Sequence, residues 1–314
     1  MRGASLILLA ALALLLACLA FLSLGARGDW GFVLMFRGTR LVALITVASA
    51  VALSTMVFQT LAANRILTPA IMGFDALFLL GQSGLVFILS GVGVAMLNPY
   101  LKFGLETGVM LVAALALFGA LLRRGRGISR MILTGIVFGI LFRSLTQLLN
   151  RLIAPSEFSV VQSASFAQFT AIPANLTWVA AGGTVLVSAW LIAQHRRLDV
   201  MALGREAAMS LGVRYDRQAR QMLAAVALLV SVSTALVGPI VFFGLLVSAL
   251  THHLARSWRH ALLLPLSALV ACTVLVASQT LFERVLHLQT SVAVVIEGLG
   301  GLVFLAMILR RRKS

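Results

Sequence analysis

Long apolar runs separated by short polar intervals dominate the pattern of this 314-residue chain. A transmembrane helix needs about 20 mainly apolar residues. Runs of that kind place spans at 4–24, 39–63, 71–93, 103–122, 129–152, 173–194, 219–237, 239–257, 259–281 and 289–309, about ten in all. Gly238-Pro239 interrupts the seventh run, so 239–257 reads as a shorter, partly re-entrant helix. Broken backbone at membrane depth is tolerated where protein or a water-filled cavity covers it. The first run follows Arg2, and its length and lack of a clear small-residue cleavage pattern favour a retained helix over a signal peptide. No repeat of fixed period is evident.

Composition turns this pattern into a class. Hydrophobic residues fill 61% of the positions and charged residues 11%, and mean hydropathy is +1.06. A soluble domain carries about 25% charged residues, so this chain cannot cover itself with polar surface. It reads as an all-α polytopic membrane protein, one transmembrane domain over residues 1–314. A net charge of +16 would suggest nucleic acid in a soluble protein. Here the basic residues sit at the ends of apolar runs, where they set topology and face anionic lipid, so no nucleic-acid partner is expected. Of the 25 Lys and Arg residues, 18 fall on one side of the ten-span arrangement and 7 on the other, with the membrane-embedded Arg143 among the 7. That asymmetry predicts both termini in the cytoplasm. Cys18 and Cys272 lie inside apolar runs without metal-ligand spacing and read as small core residues.

Four segments carry candidate chemistry. The first is the polar interval His195 to Arg220, the longest on the inner side. Within it Leu203, Ala207, Ala208 and Leu211 recur at helical spacing, with Gly204 and Gly212 near the ends. Two short helices joined by a turn would form an apolar knob flanked by Arg205, Glu206 and Arg214, able to dock in a cleft of a soluble subunit. A solvated loop with an interfacial helix is the plainer alternative. The second is Gln59 to Leu77, where Asn64, Pro69 and Gly73 interrupt a helix. It reads as either a plain turn or an irregular elbow bordering a translocation path, with Asp75 near a membrane boundary. The third is Arg37-Gly-Thr-Arg40, ahead of the second span on the outer side, which Arg284 shares. Guanidinium groups pair bidentately with carboxylates, so these arginines suit acidic groups of an external partner, unless they only snorkel. The fourth is Arg143 in the fifth span, with Ser144, Gln147 and Asn150 beside it. Such a stripe is expected to face the bundle interior or a cavity, where a cation suits an anionic cargo; an arginine that snorkels outward or is bonded within the bundle is the equal alternative.

No chemistry of catalysis emerges. The chain has no GxxxxGK[ST] phosphate loop. His252 and His253, with His260 nearby, have no carboxylate or cysteine cluster to complete a metal site and read as interfacial. Glu283 and Glu297 are isolated from one another, so no acid/base pair is apparent.

Taken together these segments resemble the iron-chelate and cobalamin permeases of ABC importers, the FecCD type, over nearly the whole chain. Arg37, Arg40, Gln59, Asn64, Pro69 and Gly73 match that family's Arg-x-x-Arg and following elbow, with Asn64-Arg65-Ile66 replacing Asn-Pro-Leu. Leu203, Gly204, Ala208, Leu211 and Gly212 match its coupling motif. Gly238, Pro239, Ile240, Phe242, Gly244 and Leu245 match its Gly-Pro-Ile-x-Phe-x-Gly-Leu. His253, Arg256, Pro265 and Ser267 keep parts of later motifs, while Gln289-Thr290-Ser291-Val292 and Gly298-Leu299-Gly300 depart from them. The stretches Phe58–Leu77 and Ala154–Phe169 look most like the ferric siderophore branch, often for catecholates.

The resemblance implies a type II ABC importer permease fold working as a dimer in the bacterial inner membrane, with a path at the dimer interface. A heterodimer with a second permease chain is expected, a homodimer being the alternative. Two ATPase subunits would engage coupling helices at about 199–214, through Leu203, Gly204, Arg205, Glu206, Ala208, Leu211 and Gly212. ATP would be bound by those subunits, with no cofactor on this chain. A periplasmic or lipid-anchored binding protein would deliver a ferric siderophore and meet Arg37, Arg40 and Arg284. Gln59, Asn64, Pro69, Gly73, Arg143, Gln147, Gly238 and Pro239 are the expected path residues. Haem or cobalamin is the alternative cargo. An ion-coupled secondary transporter, for which Glu106 and Glu297 are the deep acidic candidates, and a non-transporting scaffold or sensor are the alternative classes.

Overall fold

A computed structural model of the chain describes residues 2–25, 30–122, 128–169, 172–286 and 294–302. Its elements in order are α1 (Arg2–Ser23), α2 (Trp30–Ala62), a 3-10 turn (Pro69–Met72), α3 (Phe74–Met96), α4 (Pro99–Leu122), α5 (Ile128–Leu152), α6 (Pro155–Ala164) and α7 (Ala174–Ala193). Then follow α8 (His195–Met201), α9 (Arg205–Ser210), α10 (Tyr215–Val237), α11 (Phe243–Ala255), α12 (His260–Thr280), a π-helical turn (Leu281–Val285) and α13 (294–302). No strand occurs among the described residues. That follows from the apolar runs, because a helix satisfies its own backbone polar groups where no water can.

Eight of the described helices are long and apolar enough to cross a membrane, which makes the chain a multi-pass membrane protein. The ninth apolar helix, α11, has 13 residues, about 20 Å of rise, and falls short of a hydrocarbon core of about 30 Å. The tenth expected span, 289–309, is described only over 294–302, and its remainder lies outside the described residues, as do Gln289 to Val292. Two boundaries differ from expectation. α2 begins at Trp30 and runs 33 residues, about 50 Å, so Arg37 and Arg40 lie within the helix, one turn apart, rather than ahead of it. The segment after α5 forms the short helix α6, which periodicity did not reveal.

α2 is the central element, packing against α7, α10, α11 and α12. Small side chains along it (Ala43, Ala48, Ala50, Ala52, Ser54) are buried, so neighbouring helices come close. α1 is peripheral. It packs along α12 and leaves Leu8, Leu12, Leu15 and Leu19 exposed, an apolar outer surface suited to lipid.

Irregular backbone is matched by specific polar groups, as an apolar surround requires. Ser90 interrupts α3 with φ 62, and the freed Gly91 N–H donates to Glu157 Oε1 of α6 at 3.2 Å. The break between α10 and α11 frees the Val241 N–H, which donates to Glu297 Oε1 at 3.2 Å. Glu297 therefore serves a backbone amide. The other deep acid, Glu106, accepts from Gln82 Nε2 at 2.5 Å and lies 3.8 Å from Lys102 Nζ.

Candidate functional site

The segment between α7 and α10 folds as two short helices, α8 and α9, joined by a turn. Gly204 at the start of α9 has φ 96 and ψ 169, a region nearly exclusive to glycine. Gly212, just past its end, has φ 83. No atom outside the local backbone lies near a Cβ built at either position, so conformation rather than crowding requires glycine. Ala208 is fully buried on the inner face of α9, while Leu203 (63%) and Leu211 (62%) project into the open. The apolar knob is therefore Leu203, Leu211 and the exposed Met209, with Ala208 as its footing. Arg205 donates two hydrogen bonds to Asp216, Nε to Oδ1 at 3.2 Å and Nη2 to Oδ2 at 2.9 Å, clamping α9 to the first turn of α10. That hydrogen bond, and then the Asp216 charge, raise the Arg205 pKa. Glu206 is exposed.

A cluster absent from the expected sites ties this segment to the membrane core. Asp199 Oδ1 on α8 accepts from the backbone N–H of His260 at 2.8 Å and from its Nδ1 at 2.7 Å. His260 Nε2 lies 2.7 Å from Thr60 Oγ1 on α2. α8 is thus hydrogen-bonded to the start of α12 and, through it, to the end of α2. His260 is buried. Its place at the first position of a long apolar run was the available signal. Beside the cluster, a cavity of about 710 Å³ joins Gln59 and Asn64 of the elbow to Leu203, His252 and Trp258.

Within the elbow, Gln59 Nε2 donates to the Arg65 carbonyl at 2.6 Å, and its Oε1 accepts from the Ser248 hydroxyl of α11. Asn64 Oδ1 accepts from the Ile66 N–H at 3.1 Å, fixing the turn. Pro69 opens the 3-10 turn, and Gly73 closes it with φ 88. A Cβ on Gly73 would lie 2.7 Å from Gly139 Cα, and one on Gly135 would meet Met72. The Gly135-x-x-x-Gly139 pair therefore lets the elbow sit against α5, a small-residue pattern missed in the sequence. Pro69, Asp75 and Gly238 line one small cavity with Ser54, Thr55 and Thr68. Asp75 is buried in the first turn of α3. Gly238 has φ 100 and abuts Ala167 and the Phe166 carbonyl, Pro239 is buried, and the Gln168 N–H donates to the Val237 carbonyl at 2.7 Å. Arg143, Ser144 and Gln147 are exposed on the outside of this chain rather than turned into its bundle. Asn150 accepts from the Ser83 hydroxyl at 2.8 Å.

Of the three arginines expected to meet a binding protein, Arg37 and Arg40 are turned inward. Arg37 Nη1 donates to the carbonyls of Leu22 and Leu24, each at 2.9 Å, and Nη2 to that of Gly25 at 3.0 Å. It caps the C-terminus of α1, where a cation suits the unpaired carbonyls. Arg40 Nε donates to the Phe169 carbonyl at 3.2 Å, and Nη1 pairs with Glu283 Oε1 at 2.9 Å. Arg284 Nη2 is 3.8 Å from the same carboxylate oxygen. Arg37 and Arg40 are both buried, so neither offers a free outward guanidinium in this state, as the sequence had suggested. Among the described residues no group of three or more His, Cys, Asp or Glu side chains is placed to hold a metal ion.

Comparison with known proteins supplies the context for this geometry. The profile of the FecCD transport family matches residues 4–310. The petrobactin import system permease protein YclO of Bacillus subtilis (strain 168) is 38% identical over 302 residues, 96% of this chain and 96% of that protein. The petrobactin import system permease protein FatC of Bacillus anthracis is 32% identical over 273 residues, 87% of this chain and 77% of that protein. Among solved structures, a metal-chelate type ABC transporter in an inward-facing conformation superposes with a TM-score of 0.84 over 98% of this chain and 99% of that one, at 20% identity.

Proposed function

The chain belongs to the FecCD transport family, a transport family rather than an enzyme family, and from that premise we propose that it carries ferric siderophores, petrobactin among them, inward across the bacterial inner membrane. The observation that carries the reading is the 38% identity, over 96% of both chains, to a petrobactin import permease. As an ABC importer permease the chain works with ATPase and binding-protein subunits. Both termini lie in the cytoplasm, and ATP is bound by the partner subunits alone.

The ATPase engages the knob of Leu203, Met209 and Leu211, which Gly204 and Gly212 shape and the Arg205–Asp216 pair anchors. Movement of the knob reaches α2 and α12 through Asp199, His260 and Thr60. The exposed face of α5 meets a second permease chain, and Arg143 and Gln147 on it line the path for an anionic chelate. Binding-protein carboxylates dock at Arg284, the partly exposed arginine beside Glu283. Glu106 and Glu297 are both engaged by internal partners, which favours ATP over an ion gradient as the driving force.

The test is reconstitution of this permease, its second permease chain, the ATPase and the binding protein in liposomes, with ferric petrobactin, a ferric hydroxamate and cobalamin offered separately. ATP-dependent accumulation of petrobactin iron alone is expected. Accumulation of cobalamin instead, or transport driven by a proton gradient without ATP, overturns the reading.

A further inference from the structure

Beside the knob, on its α10 side, lies a second polar cavity of about 400 Å³ that the transport reading leaves unused. It is lined by Arg197, Gly212, Val213, Arg214, Arg217, Gln218 and Gln221. Three guanidinium groups and no carboxylate line it. The acids closest to it in sequence are engaged elsewhere: Asp216 is held by Arg205 and Asp199 by His260. Among the described residues Arg214 and Arg217 have no ion-pair partner, and Arg197 reaches only Gln218 Oε1 at 3.4 Å. Gln218 is 93% buried, since 7% of its surface is exposed, and its amide nitrogen has no acceptor. Three guanidinium groups without a facing carboxylate call for an anion.

Position identifies the anion. α7 ends at Ala193 and α10 begins at Tyr215, so the cavity sits where two spans leave the membrane, at the level of the lipid headgroups. α7 leaves Leu186 and Trp190 exposed, an apolar flank with an indole near its interfacial end. Basic pockets between spans at such a boundary hold anionic headgroups, and the volume is within the range of ligand sites. We propose that this cavity binds the phosphate of an anionic phospholipid headgroup, placing a lipid against Gly212 at the base of the coupling segment. The side of the membrane rests on the transport reading; the presence of the site does not.

The experiment measures binding of short-chain phosphatidylglycerol, short-chain phosphatidylcholine and inorganic phosphate to the detergent-purified permease assembly, with and without its ATPase subunits. Each arginine is worth about fivefold in affinity for an anionic headgroup. Arg197→Gln with Arg217→Gln is therefore expected to weaken phosphatidylglycerol binding about 25-fold. Gln221→Glu, which keeps all three arginines but adds a carboxylate, weakens it as well, whereas Arg259→Gln, outside the pocket, does not. Equal affinity for the two lipids, or affinity that survives both pocket changes, overturns the proposal. Phosphate binding as tightly as the lipid assigns the site to a free anion instead. Lipid affinity lost on adding the ATPase assigns the pocket to an acidic surface of that subunit. Either result overturns the lipid assignment. A failure of iron transport with lipid selectivity intact would refute the transport reading alone.

Discussion

Gly204→Ala is the most informative perturbation of the coupling segment. Gly204 holds φ 96 and ψ 169, and a side chain in that region costs about 1–3 kcal/mol. Crowding adds nothing, because no outside atom lies within 4 Å of the added Cβ. α9 has six residues and cannot hold its shape by propensity alone, so the strain is relieved by rotating Leu203 away from Leu211. A penalty of that size lowers the population of the native knob about 5- to 150-fold. Uptake is expected to fall at least fivefold if only the native knob couples to the ATPase. The fold survives, since Met201 and Ala208 beneath the segment remain packed. Gly182→Ala is the internal control: it sits mid-helix in α7 with open space around it and is expected to stabilise by about 0.5–1 kcal/mol. The assay is ATP-driven iron accumulation in proteoliposomes alongside ATPase association. Wild-type accumulation by Gly204→Ala refutes the assignment of Gly204 as a shaping residue.

Three further outcomes are expected. Arg37→Ala removes the cap from the end of α1 and costs about 1.5–3 kcal/mol for a charged donor, seen as a lower unfolding midpoint; an unchanged midpoint contradicts the capping role. Glu297→Ala orphans the Val241 N–H and costs about 1–3 kcal/mol, whereas Glu297→Gln keeps an acceptor and retains uptake; loss of uptake by the folded Gln variant points to proton coupling instead. Asp199→Ala releases α8 from His260 and is expected to raise the ATP hydrolysed per iron transported; an unchanged ratio removes Asp199 from the coupling route.

Much of the fold was legible because hydrocarbon imposes a single rule on each span, about 20 apolar residues in a helix. The glycine punctuation was legible as interruptions of the runs, while the positive φ of Gly73, Gly204, Gly212 and Gly238 emerges only from the folded backbone. Partner choice among polar groups was not legible. Nothing local says that Arg37 reaches back to the end of α1, that Glu157 serves the kink at Ser90, or that His260 meets Asp199 and Thr60. These pairs join residues up to 200 positions apart, and packing alone decides them. α6 was missed because its ten residues lack a strong period, and the start of α2 because Arg37 and Arg40 looked like the polar edge of a span. Those arginines enter the helix because internal carbonyls and Glu283 receive them.

The central claim is ATP-driven import of ferric siderophores through this chain. Its most direct test is uptake of radio-iron from ferric petrobactin and from a ferric hydroxamate by iron-starved cells. The cells compared carry the intact gene, lack it, or lack the ATPase gene of the same system. Loss of petrobactin iron uptake in both deletion strains, with hydroxamate uptake retained, is the predicted result. Petrobactin uptake that persists without this chain, or that survives loss of the ATPase and collapses with an uncoupler, contradicts the account.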